Sequence, residues 1–159
     1  MAIVLTKPVL SSPAFPDGGQ IPRQYSCDGE GISPPLRFEG IGNEVKSLAL
    51  IVDDPDAPRG TFTHWVLFDI PPETRELRAG FGSQGPPSNG ARQGRNDART
   101  IGYTPPCPPK GPAHRYFFRL HVLDTTLGLP EGATRDQVVE ALHGHIIGES
   151  QIMATYQRA

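Results

Sequence analysis

Acidic residues and a histidine flank a short connection between two apolar segments of strand length, residues 48–52 and 64–70. Asp54 and Asp56 lie in the connection, and His64 opens the second segment. The prolines of the connection remove backbone N–H groups and fix φ, so the chain must leave the strand there. Carboxylates and an imidazole on a loop that strands hold in place are typical of binding and catalytic sites. Asp and Pro are also ordinary turn residues, so a solvated turn is the alternative.

A second histidine occupies the same kind of position later in the chain. A proline-rich stretch at residues 105–112 leads into the apolar segment 114–122, which His114 opens. Side chains alternate between the two faces of a strand, so His114 and Tyr116 share the face that is otherwise apolar. The polar pair is therefore expected at the rim of a buried face. The spacing leaves open whether the two strand ends meet in space.

The composition favours short strands joined by turns. The chain has 159 residues, enough for one domain with a sizeable core, and its 18 glycines and 18 prolines interrupt long helices. A formal net charge of −2 supplies no basic field for nucleic acid, and no apolar run approaches membrane-spanning length. The N-terminus lacks a basic region and meets Pro8 too early for a signal peptide. We expect a single cytoplasmic domain over residues 1–159 that neither binds nucleic acid nor spans a membrane.

Turns and short strands are also expected outside these segments. Residues 11–42 are rich in turn dipeptides, and a half-buried strand is predicted at 36–39. Residues 72–77 fit one helical turn, and the remainder of 72–101 is predicted to be a loop. A loop of this length in a compact domain is usually functional or mobile. Alternation at 152–156 predicts a final strand.

One helix is predicted near the end of the chain. Thr134 and Gln137 have the spacing of a capping box, which marks a helix start. Apolar residues then follow at roughly helical spacing through 138–146, and Gly144 or Gly148 is expected to end the helix.

The two cysteines are expected to be free thiols. Cys27 and Cys107 do not have the C-x-x-C spacing of a structural zinc site. A cytoplasmic chain with a core of this size does not need a covalent cross-link.

The turn that follows the first apolar segment is expected to contain a cis peptide bond. Such bonds occur in tight turns, and this turn must aim Asp54 and Asp56 at one pocket. The candidates are the bonds before Pro55 and Pro58, with Ala57–Pro58 favoured.

The motifs resemble those of a known family. D-P-D-A-P at 54–58, H-W at 64–65 and P-P-x-G-x-x-H-R-Y at 108–116 are similar to motifs of the phosphatidylethanolamine-binding proteins, also called Raf kinase inhibitor proteins. The N-terminal F-P-D-G-G-Q-I-P-R-Q-Y-S-C-D-G and the later A-L-H-G-H-I-I-G-E-S resemble the short bacterial and archaeal branch. The resemblance covers nearly the whole chain.

The resemblance implies a mainly β fold, a sandwich of a larger and a smaller antiparallel sheet with a few short peripheral helices. It also implies a small pocket for anions, phosphate groups and phosphorylated headgroups, with a regulatory role and no catalytic residue or cofactor. Matched residue by residue, the pocket walls would be Asp54, Asp56, His64, Cys107, Pro108, His114 and Tyr116. Short members of the family look dimeric, so a symmetric homodimer is expected.

The chain departs from the family pattern in the proline-rich loop. Pro105 stands where the family often has glycine, and Thr104 beside it also differs. A proline there has no N–H to offer an anion, which puts backbone contacts from that position in doubt. The sequence ends at Ala159, without the C-terminal helical extension of mammalian members, so functions tied to that extension are not expected.

The chemistry of these residues suits a phosphorylated headgroup. Imidazole titrates near pH ~6.5 and a phosphate monoester near ~6, so each favours the charged form of the other. The Tyr116 hydroxyl adds a donor. Asp54 would repel a bare anion, but it can orient an imidazole or contact a ligand's ammonium group. A zwitterion such as phosphoethanolamine would meet both demands.

Three other functions are compatible with parts of the pattern. Two histidines with one or two aspartates fit a metal site, but no close ligand pair such as H-x-x-x-H accompanies them. His143 and His145 near the helix end could also be ligands, but they fit better as favourable charges at a helix C-terminus. Cys107 or Ser26 could serve as the nucleophile of a hydrolase, but the chain lacks a G-x-S-x-G elbow. The family resemblance also suggests a protein inhibitor of a serine protease or a kinase, for which a rigid proline-rich loop or the loop 72–101 would be suited.

Overall fold

The computed structural model describes residues 5–158, which form two antiparallel sheets, one helix of two turns and a short 3-10 turn at Arg23–Tyr25. Residues 1–4, where a signal peptide would begin, and Ala159 lie outside the described residues. The strands and helix, in chain order, are β1 Val9–Ser11, β2 Leu36–Glu39, β3 Ser47–Asp54, β4 Phe62–Ile70, β5 Glu76–Leu77, β6 Arg92–Gln93, β7 His114–Leu123, α1 Arg135–Leu142 and β8 Ile146–Tyr156.

The sheets differ in size as the family resemblance implies. The smaller sheet has the order β1-β2-β5 and the larger has the order β6-β4-β3-β7-β8. Every strand pair in both sheets is antiparallel. The mainly β fold class is therefore confirmed.

Strand β3 lies at the centre of the larger sheet and is buried along its whole length. Because its side chains point alternately to the two faces of the sheet, β3 contributes to two apolar layers. Leu50 faces the main core, which also holds Phe38 of the small sheet and Trp65 of β4. Ile51 faces a second cluster that α1 covers through Val138. The two layers leave the polar residues at the ends of β3, β4 and β7 as the rim of the core.

The predicted strands and the capping box are confirmed, and of the two glycines predicted to end the helix it is Gly144 that does so. The Thr134 Oγ1 accepts from the Gln137 N–H at 3.1 Å, and the Thr134 N–H donates to the Gln137 Oε1 at 2.9 Å. The helix ends at Leu142 rather than continuing to Ile146, because Gly144 turns the chain with φ +82°. Ile146 therefore begins β8 instead.

The helical turn predicted at 72–77 is wrong. Leu77 pairs with Leu36 of β2, so this segment closes the edge of the smaller sheet. Farther along, β6 pairs with β4 through Gln93 and Leu67. The long segment is thus a loop tied to both sheets by two short strands. No helix within residues 5–158 is long and apolar enough to span a membrane.

The predicted cis peptide bond is also wrong, since residues 5–158 contain none. The bonds before Pro55 and Pro58 are both trans. The turn is instead closed by hydrogen bonds: the Asp56 N–H donates to the Asp54 carboxylate at 2.7 Å, and the Gly60 N–H donates to the Ala57 carbonyl at 3.1 Å. The first of these bonds orients the Asp54 carboxylate without a change of isomer.

Candidate ligand-binding site

The ends of β3, β4 and β7 meet around one cavity of about 270 Å³, which we call the histidine pocket. Six of the seven predicted site residues line it, and Asp56 does not. The lining residues are Asp54, Ala57, Pro58, Phe62, His64, Thr104, Pro105, Cys107, Pro108, Pro109, His114 and Tyr116.

His64 is buried in the pocket wall with only 5% of its surface exposed. Its Nδ1 lies 2.7 Å from the Thr104 carbonyl oxygen. A carbonyl only accepts hydrogen bonds, so Nδ1 carries the proton and Nε2 is the nitrogen left for a ligand. Burial lowers the pKa of His64, against the opposing effects of the Thr104 carbonyl and the Asp54 carboxylate. At neutral pH the His64 ring is therefore uncharged, and its Nε2 is a hydrogen-bond acceptor.

His114 is held by a carboxylate rather than by a carbonyl. Its Nδ1 lies 2.7 Å from the Asp54 Oδ2, and Asp54 is almost fully buried. The other oxygen of Asp54 accepts from the Asp56 N–H. Both oxygens are thus engaged, which favours Asp54 as the orienting partner of the imidazole over a contact with a ligand's ammonium group.

Tyr116 contributes an unused polar atom. Its ring packs edge-on against His64 with 5.2 Å between centroids, and its hydroxyl is buried without a hydrogen-bond partner among residues 5–158. Burial, followed by the nearby Asp54 and Asp56 carboxylates, raises the pKa of Tyr116. The hydroxyl therefore stays protonated and can donate a hydrogen bond.

Asp56 lies outside the pocket and fastens the loop to β7. Its carboxylate accepts from the backbone N–H, the Nε and the Nη2 of Arg115, each at 2.9 Å. Hydrogen bonding to Arg115 lowers the pKa of Asp56 to about 2. We therefore assign Asp56 a structural role in place of the predicted ligand contact.

Cys107 reaches the pocket as half of a disulfide, so the expectation of two free thiols is wrong. Cys27 and Cys107 are bonded across 80 residues of sequence, and the Cys27 N–H donates to the Pro106 carbonyl beside the bond. The expectation was based on a cytoplasmic location and on the size of the core. Neither indicates whether two loops that are distant in sequence meet in the fold. The disulfide also removes Cys107 as a hydrolase nucleophile. The other candidate, Ser26, is fully buried and donates to the Arg23 carbonyl.

The apolar walls of the pocket were largely missed from the sequence. Phe62 packs against His64 with 4.8 Å between ring centroids, and the two-residue spacing along β4 could have identified it. The wall at Thr104 and Pro105 offers few amide donors: the Thr104 N–H is bonded to the His64 carbonyl at 2.9 Å, and Pro105 has none. This part of the wall therefore offers an anion no free backbone N–H.

The remaining histidine candidates lie away from the pocket. His143 is the C-terminal cap of α1 and is exposed, and the His145 Nδ1 lies 2.8 Å from the Asp124 carboxylate. Within the described part of the chain, no group of three or more His, Cys, Asp or Glu side chains is arranged to hold a metal ion.

Known proteins resemble this chain over nearly its whole length. The family model described as phosphatidylethanolamine-binding protein matches residues 11–157. A UPF0098 protein of Methanothermobacter thermautotrophicus is 52% identical over 149 residues, covering 94% of this chain and 98% of the relative. A UPF0098 protein of Pyrococcus abyssi is 48% identical, covering 92% of this chain and 84% of the relative. These names describe no enzymatic activity.

Two solved structures share the fold. A proposed phosphatidylethanolamine-binding protein homologue from Chlamydia trachomatis superposes with a TM-score of 0.88 at 43% identity, covering 97% of this chain and 99% of the other. E. coli YbcL, described as a member of the mammalian family, gives a TM-score of 0.87 at 28% identity, covering 97% of this chain and all of the other.

Proposed function

The chain belongs to the phosphatidylethanolamine-binding protein family, and on that premise we propose that its histidine pocket binds the phosphate group of a small phosphorylated molecule such as phosphoethanolamine. The observation that carries the proposal is the convergence of His64, His114 and Tyr116 on one cavity of about 270 Å³. Each histidine has its Nδ1 engaged by the protein, at Thr104 and Asp54, which leaves Nε2 for a ligand. A cavity of this size suits a headgroup rather than a whole lipid.

The protonation states favour a ligand that carries a proton of its own. Neutral His64 presents an acceptor at Nε2, which pairs with a P–OH group and not with a bare phosphate oxygen. Tyr116 presents a donor for a second phosphate oxygen. His114 donates from Nε2 only when it is protonated. Lowering the pH toward ~6 protonates a phosphate monoester and supplies the P–OH group that neutral His64 can accept from, so affinity should rise as pH falls.

Calorimetric titration of phosphoethanolamine at about pH 6 and about pH 8 tests the proposal. We expect weaker binding at the higher pH. His114→Ala should remove one charge-assisted hydrogen bond and weaken binding roughly ten- to a hundred-fold. Tyr116→Phe removes only the unpartnered hydroxyl, so it should weaken binding while leaving the fold intact.

His143→Ala is the matched control, because it deletes an exposed histidine outside the pocket. It should bind phosphoethanolamine as the wild type does. Equal affinity of the wild type, His114→Ala and Tyr116→Phe at both pH values would refute the histidine pocket as the site.

The finer expectations stay predictions. They are a symmetric homodimer, a regulatory role, a cytoplasmic location and, as the alternative function, inhibition of a serine protease or a kinase. The disulfide between Cys27 and Cys107 does not support the cytoplasmic expectation, because disulfides are rare there outside hyperthermophiles. Light scattering at high micromolar concentration tests the dimer.

A further inference from the structure

We propose that the opposite side of the same strand ends carries a second site, which binds an anion bearing two or more phosphate groups. This site, which we call the arginine groove, is a depression of about 490 Å³ between the start of β4, the loop before β7 and the start of α1. Its defining residues are Thr61, Thr63, Arg95, Arg99 and Arg135. Side chains alternate along a strand, so Thr63 lines the groove while its neighbour His64 lines the histidine pocket.

The groove contains guanidinium groups with unused donors. Arg95 and Arg99 are exposed, and neither side chain has an ion pair or hydrogen bond to any of residues 5–158. Arg135 is fixed through its Nη2, 2.9 Å from the buried Asp53 carboxylate, while its Nε is buried without a partner in the described chain. Arginine presents planar pairs of N–H donors that match phosphate oxygens, so three such groups around one depression suit a polyphosphate anion.

The loop that carries Arg99 is held in a defined shape. The buried Asn96 donates from Nδ2 to the Gly102 carbonyl at 2.9 Å and to the Thr100 hydroxyl at 2.7 Å, and its Oδ1 accepts from the Ala98 N–H at 2.9 Å. Arg99 sits at φ +67°, in the left-handed region that disfavours residues with a Cβ. Glycine would suit this backbone better, so the loop carries arginine here against the conformational preference of its backbone.

Nearby carboxylates limit what the groove can hold. Asp97 accepts from the Thr63 N–H at 2.7 Å, and Asp136 stands exposed in the first turn of α1. Asp53 already shares its charge with Arg135 and Arg119. These charges offset part of the attraction for a single phosphate. An anion with two phosphate groups can reach guanidiniums on more than one wall, and the groove is larger than the histidine pocket, at about 490 against 270 Å³.

Calorimetric titration with inorganic pyrophosphate, and with orthophosphate for comparison, tests the proposal. We would use the His114→Ala protein as the parent, so that the histidine pocket contributes little to the signal. Adding Arg99→Gly should weaken pyrophosphate binding roughly tenfold or more through the loss of a charge-assisted contact. Glycine also relieves the positive φ, so the Tm should be equal or higher. Arg95→Ala should weaken binding in the same direction.

Arg37→Ala is the matched control, because it removes one exposed arginine from β2 of the smaller sheet and changes the net charge by the same amount. Its pyrophosphate affinity should equal that of the parent. Pyrophosphate should also bind more tightly than orthophosphate, and less tightly as salt is added. Equal affinities in the parent, Arg95→Ala and Arg99→Gly would overturn the site, as would an equal loss in Arg37→Ala. Orthophosphate binding as tight as that of pyrophosphate would overturn the ligand class.

Discussion

Asp53 and Asp54 are consecutive residues at the end of β3, yet each holds together a different kind of polar surface. Asp54 pairs with His114 at 2.7 Å in the histidine pocket. Asp53, which is equally buried, accepts from the Thr63 hydroxyl at 2.9 Å and from Arg135 at 2.9 Å on the other side of the sheet. Asp54 therefore orients an imidazole, and Asp53 anchors the permanently charged guanidinium of Arg135.

One strand end thus serves two electrostatic tasks. In the histidine pocket the walls are mostly apolar, and burial lowers the pKa of His64. Attraction there depends on protons, so pH should control it. In the arginine groove the guanidiniums of Arg95 and Arg99 are exposed and always charged. Attraction there should depend on ionic strength instead.

Opening the disulfide should change the protein most, and the disulfide contacts only one of the two sites. The double variant Cys27→Ser, Cys107→Ser opens a cross-link that spans 80 residues, and should cost roughly 2–5 kcal/mol of unfolding free energy. Cys107 is a wall of the histidine pocket, so phosphoethanolamine binding should weaken while pyrophosphate binding at the groove stays unchanged. Denaturant unfolding and calorimetry measure both.

Reductant provides the control for this prediction. Dithiothreitol should reproduce the loss in the wild type and have no effect on the double variant. An equal weakening of both sites would mean that the disulfide acts through general stability and not through the pocket wall.

Much of this arrangement could be predicted from local patterns. Alternation along β7 placed His114 and Tyr116 on one face, and the structure has both on the cavity. The capping box at Thr134 and Gln137 also gave the start of α1 correctly. These features depend on residues within a few positions of one another, which is the range that periodicity and capping rules report.

What could not be predicted depends on contacts between distant segments. The disulfide joins loops 80 residues apart, and the Asp56 carboxylate accepts hydrogen bonds from Arg115, 59 residues away. The sequence pattern predicts Asp54 in the connection, although strand β3 extends through it. The arginine groove draws one arginine from α1 and two from a loop, each of which is an ordinary exposed residue when considered alone.

A second prediction separates the two aspartates. Asp53→Asn keeps the shape but removes the charge that Arg135 and Arg119 share, so it should cost roughly 1–3 kcal/mol of unfolding free energy. Phosphoethanolamine affinity should stay unchanged. Asp54→Asn should weaken phosphoethanolamine binding roughly tenfold, because His114 loses the carboxylate that orients it. Unfolding curves and titrations on both variants measure the contrast, and a loss of phosphoethanolamine affinity in Asp53→Asn would show that the two sides are coupled.

The smallest expected effect is a pH dependence of stability that comes from the pocket side. Burial lowers the pKa of His64 in the folded chain, so the unfolded chain binds this proton more readily. The free energy of unfolding therefore carries no penalty from His64 above the unfolded pKa of about 6.5, and it falls as the pH drops below that value. His64→Gln should remove this part of the pH dependence. Between about pH 7.5 and 5.5 the wild type should therefore lose more Tm than the variant. His143→Gln, at an exposed position, should follow the wild type, and identical pH profiles for the wild type and His64→Gln would show that His64 accepts its proton without cost to the fold.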